Sequence, residues 1–129
     1  MSVKSVPTGE LVIRVVAMPA NTNENGDIFG GWVVSHMDLA GACLAKQYTS
    51  YRVTTVAINS MVFIAPVHVG DSICCYAEKL RIGRTSITVK VETWAVGVGN
   101  KKRRQVTEGV FTYVAINEQG RPVPVNDPG

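Results

Sequence analysis

Only one segment of this chain can form a helix of useful length, and that segment lacks a polar face. From Gly30 or Gly31 to about Tyr48 it reads GWVVSHMDLAGACLAKQY. Val33, Val34, Met37, Leu39, Ala40, Ala42, Cys43 and Leu44 go nearly all the way round, with Ser35, His36 and Asp38 the polar residues before Lys46. A helix on a surface shows a polar face, so one that is apolar all round must be enclosed. The small residues Ala40, Gly41, Ala42, Cys43 and Ala45 would let a sheet come close to its backbone.

The material for the enclosure is the rest of the chain. Residues 10 to 17, ELVIRVVA, are β-branched and read as a strand, and residues 19 to 29 carry the Pro, Asn and Gly of a loop. After the helix, residues 53 to 64 put Val56, Ile58, Val62 and Ile64 on one face of a strand. PVHVGD, 66 to 71, reads as a strand end and a Gly-Asp turn. Residues 72 to 82 and 85 to 96 face each other across Gly83-Arg84, a two-residue hairpin candidate. Ile87, Val89 and Val91 alternate there with Thr88, Lys90 and Glu92, as in a half-buried strand. A last strand covers about 106 to 116. The tail 118–129 is rich in Pro and Gly and is expected to be loosely held.

One helix cannot supply the crossovers of a parallel sheet, so the expected class is α+β, a curled antiparallel sheet of about five strands round a central helix. An open sheet of that size has edges that a second copy could cover, which predicts at least a homodimer.

With 129 residues the chain is expected to be a single domain, 1–129, with its core at about 8–117. The three cysteines, Cys43, Cys74 and Cys75, form no disulfide framework, because the adjacent pair points to opposite faces of a strand. No cysteine or histidine spacing suggests a metal site. Residues 1–19 hold no signal-peptide pattern, and no window reaches the roughly 20 apolar residues of a membrane span. The expectation is a cytoplasmic protein in a reducing compartment. Net charge is +3, much of it from Lys101-Lys102-Arg103-Arg104. That run reads first as a solvated hairpin loop and second as a phosphate contact, with Arg81, Arg84 and Lys90 able to add to it. No recognition helix or set of stacking aromatics supports nucleic-acid binding.

The candidate chemistry gathers at the helix entrance, NTNENGDIFGG. Asp27 is at first sight a turn former or cap. A sharper reading notes that the amides around Gly30, Gly31 and Trp32 are unpaired donors at the positive end of a helix dipole. A carboxylate beside free N–H groups at an apolar entrance suits acyl hydrolysis. Asp38, inside the helix, needs a partner and reads as structural, with a backbone amide of a neighbouring strand as the expected partner. His36 and Asp38 do not share a helix face, His68 reads as a surface residue, and Ser35 lacks a Gly-x-Ser-x-Gly setting.

The stretch NTNENGDIFGGWVVSHMDLAGA, with MVFIAPVHVGDSICCYAE, RIGRTSITVKVETW and VTEGVFTYVAI, resembles the bacterial acyl-CoA thioesterases of the YciA type, members of the hotdog-fold superfamily. The likeness covers about residues 8 to 117. It implies a long helix wrapped by an antiparallel sheet, dimers joined through continuous sheets and assembled into hexamers as trimers of dimers, and hydrolysis of acyl-CoA to coenzyme A and a carboxylic acid. Coenzyme A is then part of the substrate, and no separate cofactor is expected. The resemblance implies Asp27 as general base or nucleophile and the amides of Gly30 and Gly31 as oxyanion donors. It brings Arg84, Thr85 and Ser86 to coenzyme A. An acyl tunnel would be lined by Ile28, Phe29, Val33 and Met37, with Met61 and Phe63 from a partner. A hotdog dehydratase would need a His-x-x-Gly-x-Pro loop, which is missing. The rival from another class is a non-catalytic acyl-CoA-binding sensor acting through a partner.

Overall fold

The structure, a computed structural model, describes residues 6–99 and 102–127. Its elements run β1 (Glu10–Val16), α1 (Gly30–Ala45), β2 (Arg52–Phe63), β3 (Ser72–Ile82), β4 (Ser86–Val96) and β5 (Arg103–Ile116), with single 3-10 turns at Pro19–Asn21 and Lys46–Tyr48. All pairings are antiparallel, and the five strands lie in the order β1-β3-β4-β5-β2. This is the α+β hotdog arrangement expected. Register shifts interrupt every pairing, at Leu11/Ile13, Thr55/Ala57, Asn59/Val62, Lys79/Arg81 and Thr93/Trp94. Each bulge bends its strand and increases the local twist, which lets a sheet of long strands curl round one helix.

The helix packs mainly over β3 and β4. Val33, Met37, Ala40, Gly41, Leu44 and Ala45 are its buried side, against Ile73, Cys75, Val89, Val91 and Phe111 of the sheet. Gly41 leaves room for the Tyr113 side chain of β5, since a Cβ there would overlap the Tyr113 hydroxyl. The helix is not enclosed all round, however. Ser35, Leu39 and Cys43 are exposed, Leu39 by 57%. A single five-stranded sheet covers one side of a helix, and the apolar residues on the other side are uncovered in this chain. The stripe on β2 is uncovered too, with Val56, Ile58 and Val62 exposed by 56%, 42% and 39%. Among the described residues β2 pairs only with β5, so it leaves a free edge beside that stripe.

Four sequence expectations need correction. Glu92 was expected to face solvent, yet it is 1% exposed. Thr8 lies across it, its hydroxyl donating at 2.6 Å, while the Trp94 indole donates at 3.0 Å and Lys90 pairs at 3.2 Å. The β3–β4 loop has three residues, 83 to 85, closed by the Gly83 amide on the Ser86 carbonyl at 2.8 Å. β5 begins at Arg103, so half of the basic run lies in a strand. Arg104 is bound to the Asp71 carboxylate at 2.7 Å and to the Pro66 carbonyl at 3.1 Å, and Arg103 lies over the Trp94 ring. Lys101 is outside the described residues. Finally, the tail is held as far as Asp127. The Val123 amide donates to Ala115 and the Val125 amide to Arg84, both at 2.9 Å, and Val125 is 2% exposed.

Candidate active site

The loop ahead of the helix is built by Asn23. Its side-chain oxygen accepts from the amides of Asn25 (2.9 Å) and Asp27 (3.1 Å), and its own amide donates to the Asp27 carbonyl at 2.7 Å. Gly26 completes the turn with φ of 81°, a backbone state that disfavours residues with a Cβ. The Ile28 amide then bonds to the Val67 carbonyl at 3.3 Å, which ties the loop to the segment clamped by Asp71 and Arg104. Asp27 is thereby fixed through its backbone. Its carboxylate is exposed and has no hydrogen-bond partner among the described residues.

The helix start is as open as its glycines suggest. Phe29 is the N-cap and gives no side-chain cap, and the first turn holds no acid. Val33 is the first residue whose amide finds a helical acceptor, the Phe29 carbonyl at 3.3 Å. The amides of Gly30, Gly31 and Trp32 have no acceptor among the described residues and remain donors at the positive end of the dipole. The Phe63 ring lies 3.5 Å from where a Gly30 Cβ would be. Phe63 thus adjoins the helix start of its own chain, and Met61 packs on Gly109 of its own chain. Ile28, Val33 and Met37 are core residues of the protomer, and Phe29 is exposed.

Asp38, read from sequence as structural, is the more firmly held of the two carboxylates. It is half-buried, and its Oδ1 accepts from the Thr55 hydroxyl at 2.7 Å and the Tyr113 hydroxyl at 3.1 Å. Tyr113 also reaches the Asp38 carbonyl at 2.8 Å. The partners are two hydroxyls from β2 and β5, not a strand amide. Burial first, and then the Asp38 charge, push the Tyr113 phenol far above its ordinary value, so it stays a donor. Asp38 lines a shallow, open concavity on the outer face of the helix with Ser35, His36, Leu39 and Ala42. Neither polar neighbour is activated for attack. The Ser35 hydroxyl donates to the Trp32 carbonyl at 2.7 Å, and His36 Nδ1 lies 2.9 Å from the same oxygen. The signal that pointed to Asp38 was available, an acid in an apolar helix; its partners lie on strands whose pairing no local pattern reveals.

Strand register decides what can meet. Thr55 pairs with Tyr113, and Tyr113 with Ile87, one residue from Ser86. The segment Arg84, Thr85 and Ser86 therefore lies at the same end of the sheet as Asp38. Ser72, at the far end of β3, is near the loop that holds Asp27. Ser72 and Ile82 are ten residue steps apart along β3, which is roughly 33 Å at about 3.3 Å per residue. Within one chain, Arg84–Ser86 and Asp27 are not brought together. Backbone bonds hold the segment, with Thr85 accepting from Ala115 and Arg84 from Val125, and Arg84 is exposed. A second concavity, lined by Ser50–Arg52 and Ile116–Gln119, holds none of these residues. Among the described residues no group of metal-binding side chains occurs, and no helix is long and apolar enough to cross a membrane.

One long helix lying in a curled five-stranded antiparallel sheet is the hotdog fold. Residues 25–100 match the thioesterase superfamily. The acyl-CoA thioester hydrolase YciA of Salmonella typhimurium is 48% identical over 124 residues, 94% of this chain and 93% of that one. A hexameric thioesterase from Yersinia pestis has a TM-score of 0.90 at 49% identity, over 95% of this chain and 99% of that one. A hexameric broad-specificity acyl-coenzyme A thioesterase, in a mutant with one aspartate replaced by alanine, has a TM-score of 0.89 at 47% identity, over 95% and 90% of the two chains. The chain belongs to the thioesterase superfamily and, within it, to the YciA family of acyl-CoA thioester hydrolases.

Proposed function

We propose that this chain hydrolyses acyl-CoA to coenzyme A and a carboxylic acid, with the amides of Gly30 and Gly31 as oxyanion donors and an aspartate as general base or nucleophile. Coenzyme A is part of the substrate, and the reaction asks for no further cofactor. The enzyme acts as a cytoplasmic homo-oligomer, a trimer of dimers, in the metabolism of fatty acyl groups; the hexameric relatives and the uncovered β2 edge support an oligomer. Arg84, Thr85 and Ser86 contact coenzyme A.

Two aspartates compete for the chemical role. Asp27 follows from the resemblance and stands three residues before Gly30. One observation favours Asp38: its carboxylate is held by two hydroxyls, whereas that of Asp27 is free in solvent. A group that must meet a thioester in one geometry benefits from such fixation. Asp38 is also the aspartate on the side of Arg84–Ser86. Asp38 is eight residue steps along the helix from Gly30, about 12 Å at 1.5 Å per residue. A thioester seated on Asp38 therefore takes its oxyanion donors from the helix start of a second copy, and the site is completed only in the oligomer.

Free-thiol release from a short-to-long acyl-CoA series tests both. Asp38→Asn should lower turnover by roughly 10²- to 10⁴-fold and Asp27→Asn by less than about 10-fold. The reverse ranking would return the role to Asp27. Release from no acyl-CoA by folded wild type that binds coenzyme A would favour a sensor.

A further inference from the structure

We infer that Arg104 and Asp71 are positioning residues for hydrolysis, which fix the direction of the helix-start amides through Val67 and Ile28. The inference rests on the reading of the Gly30 and Gly31 amides as oxyanion donors. Residues 64 to 71 join β2 to β3 without regular structure, and Pro66, His68 and Val69 are exposed while Val67 among them is buried. The two side chains hold Val67 from both sides. Arg104 Nη2 donates to the Pro66 carbonyl at 3.1 Å, and Asp71 Oδ2 accepts from the His68 amide at 2.9 Å. The same two atoms meet at 2.7 Å, so one contact closes both clamps.

The residue between the clamps carries the helix entrance. The Val67 carbonyl accepts from the Ile28 amide at 3.3 Å, and the next amide, of Phe29, donates to the Asn21 carbonyl at 3.1 Å. Phe29 supplies no side-chain cap, so these two backbone bonds set the angle at which the chain enters the first turn. They thereby aim the amides of Gly30 and Gly31. An ion pair that merely tied β5 to the loop would need no bond to either neighbour of Val67. Oxyanion donors act within a narrow geometry, and a misplacement on the order of 1 Å can cost about 100-fold in rate.

The test compares kcat and KM for acyl-CoA in Arg104→Gln, Arg104→Lys and Gly30→Pro. Arg104→Gln should lower kcat by about 10- to 100-fold and leave KM within about threefold. A single nitrogen makes both contacts, so Arg104→Lys should return kcat to within about fivefold of wild type. The double variant Asp71→Asn/Arg104→Gln leaves no buried charge unpaired and should show the same fall in kcat if Arg104→Gln fails to fold. A second readout is the infrared carbonyl stretch of the bound ketone analogue of butyryl-CoA, isotope-labelled at the carbonyl, in which methylene replaces the thioester sulfur. Wild type should shift that stretch to lower frequency, and Arg104→Gln should lose about half of the shift. Gly30→Pro removes a donor outright, at a place where Phe29, with ψ of 133°, accepts a following proline. It should lower kcat by about 100-fold. With Gly30→Pro slow, a kcat within about threefold of wild type in the clamp variants, a change confined to KM, or an unmoved carbonyl stretch would overturn the inference. Wild-type kcat and carbonyl stretch in Gly30→Pro would overturn the reading of the amides beneath it.

Discussion

Replacing Gly41 by alanine should destabilise this protein although alanine is the better helix former. Gly41 is in the middle of α1, where the exchange alone would stabilise by about 1 kcal/mol. Its position against the sheet reverses the sign. A Cβ there would overlap the Tyr113 hydroxyl and come within 3.0 Å of Cε2 and Cζ of the same ring. The ring cannot step aside, since Tyr113 is fully buried and stacked on Phe111 with centroids 6.4 Å apart. Overpacking of this kind costs about 1–3 kcal/mol. Displacing the hydroxyl also removes the bonds of Tyr113 to Asp38, worth roughly 1–3 kcal/mol with a charged acceptor. The net expectation is a loss of about 3 kcal/mol, or a fall in Tm on the order of 10 °C for a domain of this size. Urea denaturation followed by far-ultraviolet circular dichroism measures it. Gly31→Ala is the control, because a Cβ there meets nothing within 4 Å; it should be neutral or slightly stabilising. In a Tyr113→Phe background, Gly41→Ala should cost measurably less, since the atom it strikes first is gone. A Gly41→Ala protein as stable as the control would refute the close approach and the placement of Tyr113 on Asp38 with it.

The docked tail and the buried thiol give two more tests. Val125→Ala should cost about 2 kcal/mol in chemical denaturation, whereas a loose tail would show no change. Burial pushes the Cys75 thiol up to about 11 from 9.0, with the Thr93 hydroxyl opposing the shift. The folded state thus keeps its proton where the unfolded chain has lost it. The stabilisation is complete below pH 9.0 and is lost as pH rises to about 11. Wild type should therefore lose up to about 3 kcal/mol more than Cys75→Ala across that window, and parallel pH–stability curves would contradict the assignment.

The basic run shows why a charge pattern is a weak guide to a site. Arg104 holds Asp71 and the Pro66 carbonyl, and through that segment it supports the Val67 carbonyl that anchors Ile28. A residue first read as a solvated or phosphate-binding cation therefore belongs to the frame behind the helix entrance. Its side chain is only 35% exposed, and its partner Asp71 is 6% exposed. Neither value can be read from four consecutive basic letters.

Local pattern was enough for the elements. The one apolar helix, the strands on either side of it and the open glycine start were all legible, because periodicity and Gly or Pro punctuation act within a few residues. The class followed from them, since one helix and an antiparallel run of strands allow few arrangements. Tertiary structure alone decided which groups meet. Thr8 covers Glu92 from 84 residues away, and Tyr113 reaches Asp38 from 75 away. The order β1-β3-β4-β5-β2 sets Thr55 beside Tyr113 and leaves the apolar face of β2 at an open edge. It also carries Arg84–Ser86 to the far end of the sheet from Asp27. Register and strand order depend on the combined fit of all faces to one core, so no single stretch of sequence encodes them. The choice between Asp27 and Asp38 turns on that fit.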